Sequence, residues 1–147
     1  MPIHISGTGS FIPKNKVYNN SFIDKVFFDK DGNGYPNSNV EIIEKFQKIT
    51  GIKERRYADK EHKTSDLATF AAKNAIKDAG IDKETLDYII VAHNFGEIEY
   101  GTNQYIALPS VATMVKHKLE ISNENCVAYD IIFGCPGWLE GVIQASA

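Results

Sequence analysis

The spacing of apolar residues predicts two amphipathic helices in the first part of the chain. In VEIIEKFQKIT the apolar positions recur at helical intervals, so one face is expected to be buried and the helix to end at Thr50-Gly51. TSDLATFAAKNAIKDAGI has the clearest helical pattern, with Thr64 or Ser65 as N-cap and Gly80 at its end. Its many alanines predict a face pressed closely against other backbone. That predicted face comprises Leu67, Phe70, Ala71, Ala75 and Ile76 or Ala79.

Two continuous apolar runs, LDYIIVAH and CVAYDIIF, predict strands that are covered on both faces. The first is followed by a predicted helix, PSVATMVKHKLEI, which Pro109-Ser110 begins. The second is followed by GCPGWLEGVIQASA, with Pro136 in the first turn of another helix. Because helices alternate with buried strands, the sequence predicts an α/β layered fold with a mainly parallel sheet. The last helix reaches Ala147 without a cap, so we expect the sequence to be part of a longer protein.

The first forty residues contain shorter elements. HISGTGSFIP predicts an edge-like strand that ends in a turn, and NSFIDKVF predicts a short helix with Asn20 or Ser21 as N-cap. FDKDGNGYPNSN predicts a loop, and its DKDGNG resembles the start of a calcium-binding EF-hand loop. Counting from Asp29, however, the twelfth position is Val40, where that loop requires glutamate. A solvated surface turn is therefore the preferred interpretation.

Composition narrows the classes of function. The 147 residues suit one domain, 43% of them are hydrophobic, and the formal net charge of −3 offers no basic stripe for nucleic acid. The first residues do not resemble a secretory signal, and no apolar run is long enough to span a membrane. Two cysteines cannot form a disulfide framework or a four-ligand zinc site, so we expect no metal and a cytoplasmic location.

Cys135 is the candidate for chemistry. It lies between Gly134 and Pro136-Gly137, where a buried strand passes into a helix. At that helix N-terminus, unpaired N–H groups and the helix dipole favour a thiolate, and the small neighbours leave room for an acyl chain. The alternative is a buried cysteine that only fills the core, and position alone leaves both interpretations open. Cys126, inside an apolar run, is expected to be core.

A cysteine nucleophile for acyl transfer usually works with a base or an imidazole donor. His93 ends a buried strand, where α/β folds place ligands, although a hydrogen-bonded residue near solvent is the preferred interpretation. His62 and His117 are expected to be solvated. His4, on the opening strand, has no identifiable partner.

Together these segments resemble the N-terminal half of β-ketoacyl-[acyl carrier protein] synthase III, a condensing enzyme of thiolase-like fold. The shared segments, in order, are ISGTGSFIP, TGIKERRYA, TSDLATFAAKNAIKDAGI, LDYIIVAH, PSVATMVKHKLEI and YDIIFGCPGW. The family has Asp, four residues, the nucleophilic Cys, a small residue, Gly and an aromatic. Asp130, Cys135, Pro136, Gly137 and Trp138 stand at those positions. The resemblance implies that residues 1–147 form the N-terminal thiolase-like domain of an acyltransferase, with a layered, mainly parallel mixed sheet.

The resemblance implies a decarboxylative condensation without a cofactor. An acyl group from acyl-CoA or another acyl thioester would load onto Cys135 and then condense with malonyl on acyl carrier protein, in fatty acid or related lipid or polyketide synthesis. The family's His and Asn come from the other half of its fold, and His93 matches neither, so this chain alone is expected to be inactive. We expect a homodimer, because half a fold would expose sheet edges and an apolar face.

The chain also departs from the family pattern. Lys45 and Ile49 stand where the family often has a Trp and an Arg that hold the CoA adenine. The family residue just before Pro-Ser, often Phe, reaches into the partner's acyl pocket, and Leu108 at that place would leave room for a longer or branched chain. Gly137 and Trp138 complete the candidate substrate site. Trp138 is expected to pack in the core beneath the cysteine helix, with pocket lining as the alternative.

The sequence leaves open the role of two arginines and the type of reaction. Arg55 and Arg56 are candidate contacts for CoA phosphates or the acidic carrier protein, but structural ion pairs are the preferred interpretation. The alternatives to a condensing enzyme are a non-catalytic partner subunit of the same fold and an acyltransferase that does not condense.

Overall fold

The computed structural model describes residues 3–146 and divides into two compact units. One unit is Ile12–Asp59. The other combines residues 3–11 with residues 60–146. Ala147, to which the last predicted helix was extended, lies outside the described residues. That residues 1–147 form the N-terminal domain of a condensing enzyme stays a prediction.

The smaller unit joins one helix to a two-stranded antiparallel sheet. β1 (Asn15–Tyr18) pairs with β2 (Glu54–Tyr57), and α1 (Asn39–Thr50) lies between them in the chain. Ser38 caps α1 in a capping box, since its side chain accepts the N–H of Glu41 and the Glu41 carboxylate accepts the N–H of Ser38. Gly51, at φ 71°, ends the helix in the left-handed conformation. The predicted helix and its end are confirmed.

The predicted helix over NSFIDKVF is reduced to a 3₁₀ turn, Asn19–Phe22, which has no side-chain cap. The expectation of Asn20 or Ser21 as N-cap is therefore wrong. Asn19 is buried instead, and its side-chain NH₂ donates to Gln47 Oε1 and to the carbonyl of Ile52. Tertiary hydrogen bonds thus decide where this turn begins.

The predicted loop is confirmed as an exposed turn, which is held by hydrogen bonds between the Asp29 side chain and the backbone of the turn. The Asp29 carboxylate accepts the N–H groups of Asp31 and Asn33 at 2.9 and 2.8 Å. Hydrogen bonding, first of all from the backbone of Asn33, lowers the pKa of Asp29 below its ordinary value.

The larger unit contains the predicted α/β alternation. Its helices are α2 (Thr64–Ala79), α3 (Val111–Lys118) and α4 (Gly137–Ala145), with a 3₁₀ turn at Lys83–Thr85. β3 (Tyr88–His93) pairs in parallel with β6 (Val127–Ile132), in register from Tyr88↔Val127 to His93↔Ile132. β4 (Glu97–Ile98) and β5 (Tyr105–Ile106) form an additional antiparallel hairpin. The predicted parallel strands and both following helices are confirmed, with Ser110 as the cap of α3.

The core lies between β3 and the helices α2 and α3. Its buried residues are Val111, Val115, Leu119, Ile121 and Cys126, and Ile89 and Val91 of β3 pack against them. Successive strand residues point to opposite faces, so Ile90 and Ala92 face α4. β3 is thus covered on both sides, as predicted. Cys126 is 3% exposed, which confirms that it is a core residue.

The opening segment does not form the predicted strand, since no strand is assigned within residues 3–13. Gly7 and Gly9 lie directly on the backbone of α2 at Ala71, Ala75 and Ala79. A Cβ on Gly7 would stand 2.5 Å from the nitrogen of Ala79, closer than real side chains come. The prediction of an alanine face pressed against backbone is therefore confirmed.

The start and the core-facing side of α2 differ from the prediction. Lys63 is the N-cap, in place of Thr64 or Ser65, and the Asp66 carboxylate accepts its N–H at 2.9 Å. Ala68, Ala72 and Ile76 contact the core, whereas the predicted alanines face the opening segment. No helix within residues 3–146 is long and apolar enough to cross a membrane.

Candidate functional site

Cys135 lies on an exposed turn between β6 and α4. β6 ends at Ile132, and the N–H of Gly137 donates to the carbonyl of Gly134 at 2.9 Å, which closes a tight turn around Cys135 and Pro136. The helix follows at once, with the N–H of Glu140 donating to the carbonyl of Pro136 at 3.0 Å. Because Cys135 is exposed while Cys126 is buried, only Cys135 presents its thiol for reaction.

The backbone around Cys135 presents unpaired hydrogen-bond donors. No side chain caps the N-terminus of α4, and the backbone N–H of Cys135 makes no hydrogen bond within residues 3–146. Free N–H groups and the positive end of the helix dipole both stabilise an anion at this place. These backbone groups can therefore donate to an anion that forms beside Cys135.

The two glycines beside Cys135 have different surroundings. A Cβ on Gly134 would meet no atom within 4 Å, so this side of the turn is open. Gly137 is buried, and a Cβ there would stand 3.3 Å from the Cβ of Ala92. Gly137 thus allows α4 to approach β3 closely, whereas the turn is open on the side of Gly134.

Trp138 is 73% exposed, so the expectation that it packs in the core is wrong. Gly137 and Gly141, four residues apart on one helix face, are the residues of α4 that approach β3. Trp138 lines an open cavity of about 320 Å³ together with Ile90 and Ala92 of β3. Cys135 is not among the residues that line this cavity, so a role of Trp138 in an acyl pocket stays a prediction.

Leu108 is 83% exposed and lies immediately before the N-cap segment of α3. The peptide bond between Leu108 and Pro109 is cis. The side chain is available to another surface, and its contact with an acyl chain stays a prediction.

Arg55 and Arg56 lie in the smaller unit, on β2, and both have protein partners. The Arg55 guanidinium donates to Asn19 Oδ1 at 2.8 Å and lies 5.2 Å from the centroid of the Phe22 ring. Arg56 pairs with Glu54 at 3.2 Å. These contacts support the structural interpretation of both arginines.

The smaller unit also contains the positions that depart from the family pattern. Lys45 and Ile49 line a cavity of about 300 Å³ on α1, whose walls are mostly apolar and include Phe28, Tyr35 and Phe46. The cavity has no arginine and no tryptophan among its lining residues.

A network around Asp130 was not predicted from the sequence. His93 Nε2 lies 2.9 Å from Asp130 Oδ2, and the same carboxylate accepts the N–H groups of Val111 and Ala112 at 2.8 and 2.7 Å. The N–H of Gly96 donates to His93 Nδ1 at 2.8 Å. The sequence did contain a signal for this network, because a single aspartate in an apolar strand requires hydrogen-bond partners when it is buried. The expectation that His93 is hydrogen-bonded is confirmed, and neither ring nitrogen is free to act as a base.

A second hydrogen-bond network that was not predicted joins β4 to the start of α2 and to the end of α3. Glu97 is 2% exposed, and its carboxylate accepts both the N–H and the hydroxyl of Ser65. Lys118 donates to Ser65 Oγ at 2.6 Å and to Asp66 Oδ1 at 2.5 Å. Burial, the largest influence, raises the pKa of Asp66, but the hydrogen bonds from Lys118 and the Lys63 backbone together hold it below its ordinary value.

The other three histidines lie in different surroundings. His62 is partly buried and packs edge-on against Phe11 and Phe70, so the expectation that it is solvated is wrong. His117 is exposed, as predicted, and His4 is exposed outside any strand. Within the part of the chain that the structure describes, no group of three metal-ligating side chains lies together.

Comparisons with known proteins identify the relatives of the chain. No family model matches it. The β-ketoacyl-[acyl-carrier-protein] synthase III of Neisseria meningitidis serogroup C (strain FAM18) is 37% identical over 143 residues, which cover 97% of this chain and 38% of that protein. The crystal structure of 3-oxoacyl-[acyl-carrier-protein] synthase III from Aquifex aeolicus VF5 matches with a TM-score of 0.71 and 30% identity, over 96% of this chain and 38% of that one. The crystal structure of the synthase III from Thermus thermophilus matches with a TM-score of 0.72 and 26% identity, over 98% of this chain and 37% of that one.

These matches bear out the resemblance drawn from the sequence motifs. The chain spans 38% of the length of the Neisseria protein. Its α/β architecture, with the parallel pair β3–β6 between helices, is that of the solved synthase III structures. Along nearly its whole length, this chain is a homologue of β-ketoacyl-[acyl-carrier-protein] synthase III and has the thiolase-like fold of that family.

Proposed function

We propose that the protein is an acyltransferase of the β-ketoacyl-[acyl carrier protein] synthase III type, with Cys135 as its nucleophile. The observation that carries this proposal is the exposed thiol at the uncapped N-terminus of α4. The similarity to synthases III extends over 97% of the chain, including this turn. The activity, the substrates and the partners below belong to the protein at its full natural length.

The first half-reaction transfers an acyl group to Cys135. The thiolate attacks the carbonyl carbon of an acyl thioester, and a C–S bond forms to Cys135 Sγ. The negative charge of the tetrahedral intermediate develops on the carbonyl oxygen, where the free N–H of Cys135 can donate. The intermediate collapses when the C–S bond to the donor breaks, and the donor thiolate leaves and takes up a proton. This yields an acyl-enzyme without any cofactor.

The second half-reaction forms a carbon–carbon bond. The malonyl group on acyl carrier protein loses CO₂, and the electron pair of the broken bond forms a carbanion at the thioester α-carbon. That carbon attacks the acyl carbonyl on Cys135, and the C–S bond to Cys135 breaks to return the thiolate. The imidazole and amide that assist this step in the family must come from residues other than His93, since both nitrogens of His93 are engaged.

Three residues near the turn and α3 would shape the acyl site. Gly137 holds α4 close to β3, Trp138 lines a cavity formed by residues of α4 and β3, and Leu108 presents an exposed apolar side chain. Arg55 and Arg56 would have to exchange their present partners to bind CoA phosphates or the carrier protein, so we assign them to structure first.

We also propose that the protein works as a homodimer with acyl carrier protein as a transient partner. Large apolar side chains on α4 and at the end of β6 are exposed in the single chain, among them Ile132, Leu139 and Ile143. A surface of this kind is normally covered in the working protein, either by the rest of the full-length chain or by a second copy, and the homodimer proposal assigns part of it to the contact between copies. A monodisperse monomer of the full-length protein in a light-scattering measurement would contradict the homodimer.

The test is covalent loading of Cys135 in the full-length protein. We would incubate it with a panel of acyl-CoAs and acyl carrier proteins and measure intact mass. The expected result is a mass gain of one acyl group that is lost in Cys135→Ala and retained in Cys126→Ala, the matched control with the buried thiol removed.

Malonyl-acyl carrier protein then separates the remaining alternatives. Release of CO₂ and a product longer by two carbons than the loaded acyl group indicate condensation. Loading followed by transfer without CO₂ indicates an acyltransferase that does not condense. A folded protein that takes no acyl group from any donor would overturn the proposal and favour a non-catalytic partner subunit.

A further inference from the structure

The segment between β3 and α3, residues 94–110, contains the β4–β5 hairpin and ends just after Leu108. Both ends of this segment are bound to one pair of side chains. At its start, the buried Gly96 donates its N–H to His93 Nδ1 at 2.8 Å. Directly after its end, Val111 and Ala112 donate their N–H groups to the Asp130 carboxylate.

The pair itself is joined by a well-defined hydrogen bond. Because His93 Nδ1 accepts the N–H of Gly96, the ring proton is on Nε2, which donates to Asp130 Oδ2 at 2.9 Å. The two side chains are largely buried, at 9% and 14% exposed. A buried carboxylate with three donors forms a rigid connection, since losing any partner would leave a polar group unsatisfied.

The same pair is connected to the cysteine turn. His93 and Asp130 lie on the paired strands β3 and β6, and the N–H of Phe133 donates to the carbonyl of His93 at 3.1 Å. Hydrogen bonds to His93 and Asp130 therefore hold both the segment that carries Leu108 and the strand that leads to Cys135. The hairpin has a separate attachment through Glu97 to α2, which does not involve the start of α3.

We propose that His93 and Asp130 are positioning residues that clamp both ends of the 94–110 segment and thereby fix where Leu108 presents its side chain, which in the proposed homodimer limits the acyl-chain length accepted at the nucleophilic cysteine. The proposal rests on the proposed function only for the role of Leu108 in the acyl site. The clamp acts through Leu108, which stands three residues before the N–H of Val111. Loosening that end of the segment would widen the range of positions that the Leu108 side chain takes.

Two substitutions of His93 separate the two links. His93→Asn keeps an acceptor near the position of Nδ1 but loses the donor to Asp130. His93→Gln reaches Asp130 with its amide but leaves the Gly96 N–H without an acceptor. Asp130→Asn weakens the bonds to Val111 and Ala112 directly. His117→Gln, on the exposed histidine of α3, is the matched control.

Amide hydrogen exchange measures the clamp without relying on activity. Losing one such hydrogen bond is expected to speed exchange about tenfold. That increase should occur at Gly96 in His93→Gln and at Val111 and Ala112 in both His93→Asn and Asp130→Asn, because each of these two changes loosens the Asp130 carboxylate. His117→Gln should leave all three amides unchanged. If Asp130→Asn fails to fold, the two His93 variants still decide the question. Wild-type exchange at these amides in both His93 variants would overturn the clamp.

Acyl-chain preference measures its consequence. In the full-length protein, the ratio of Cys135 acylation rates with acetyl and octanoyl donors is expected to shift roughly tenfold in His93→Asn, in the same direction as in Leu108→Ala. A general loss of stability would lower both rates and leave their ratio unchanged. Faster exchange with an unchanged ratio would overturn the specificity role. No acylation in the wild type would refute the proposed function instead, and hydrogen exchange would still decide the clamp.

Discussion

Replacing Gly7 by alanine tests how the opening segment packs on α2. The added methyl group would stand 2.5 Å from the nitrogen of Ala79 and 2.7 Å from the carbonyl oxygen of Ala75. These are backbone atoms of a helix, so no side chain can rotate to relieve the contact. The φ angle of Gly7 is not in the left-handed region, and the whole cost is therefore steric.

The expected magnitude follows from two opposing effects. Overpacking costs about 1–3 kcal/mol, and contact with rigid backbone places this case at the upper end. Alanine also lowers the entropy of the unfolded chain, which offsets about 0.4–1 kcal/mol. We therefore expect the free energy of unfolding to fall by about 2 kcal/mol. Gly134→Ala is the matched control in the same unit, because its methyl group would meet no atom within 4 Å.

Urea unfolding followed by circular dichroism measures both variants. Exchange of the Thr8 amide reports the segment itself, since this N–H donates to Asp78 Oδ2 at 2.9 Å. The expected result is a lower midpoint and faster Thr8 exchange in Gly7→Ala alone. Equal stability and equal Thr8 protection in the two variants would refute the packing of the segment on α2.

Three further predictions concern local interactions. Ser38→Ala removes the N-cap of α1 and is expected to cost about 1 kcal/mol of unfolding free energy in urea. The pKa of Asp66 is depressed in the folded state, so the contribution of this carboxylate to stability is present at neutral pH. That contribution is lost as the pH falls below about 4 and through the folded-state pKa. Asp66→Asn should remove this part of the dependence of unfolding free energy on pH. Arg55→Ala should cost about 1–3 kcal/mol because it leaves a buried partner unsatisfied, whereas Arg56→Ala breaks an exposed pair worth less than about 1 kcal/mol.

Each of these has a contradicting outcome. Ser38→Ala with wild-type stability would exclude the capping box in solution. An unchanged slope of stability against pH in Asp66→Asn would assign the acid dependence to other carboxylates. If Arg55→Ala leaves stability unchanged but weakens loading of Cys135 by acyl-CoA, the arginine contacts the donor and is not structural.

Much of the local structure could be predicted because its signals lie close together in the chain. The end of α1 at Gly51 and the cap of α3 at Ser110 follow from short-range backbone preferences. The strands β3 and β6 follow from continuous apolar runs. The position of Cys135 between a strand and a helix was visible for the same reason, since glycine and proline mark the turn.

The remaining features depend on contacts between distant residues. Residues 3–13 have the composition of a strand, but Gly7 and Gly9 dock on α2 instead of pairing in a sheet. Trp138 is apolar enough for a core, yet it is exposed and lines an open cavity beside β3. Neither outcome can be read from the local sequence, because each depends on which surface another element already occupies.

The sequence by itself determined the resemblance to synthase III, the α/β alternation and the cysteine turn, because motif order, periodicity and turn chemistry are encoded over short distances. Only the tertiary structure decided that Cys135 is exposed, because the sequence had left a reactive and a buried cysteine both open. It also decided that His93 and Asp130 meet, 37 residues apart in the chain, and bind both ends of the 94–110 segment. The parallel pairing of β3 with β6 places them there, and side-chain partners across a sheet are set by strand register.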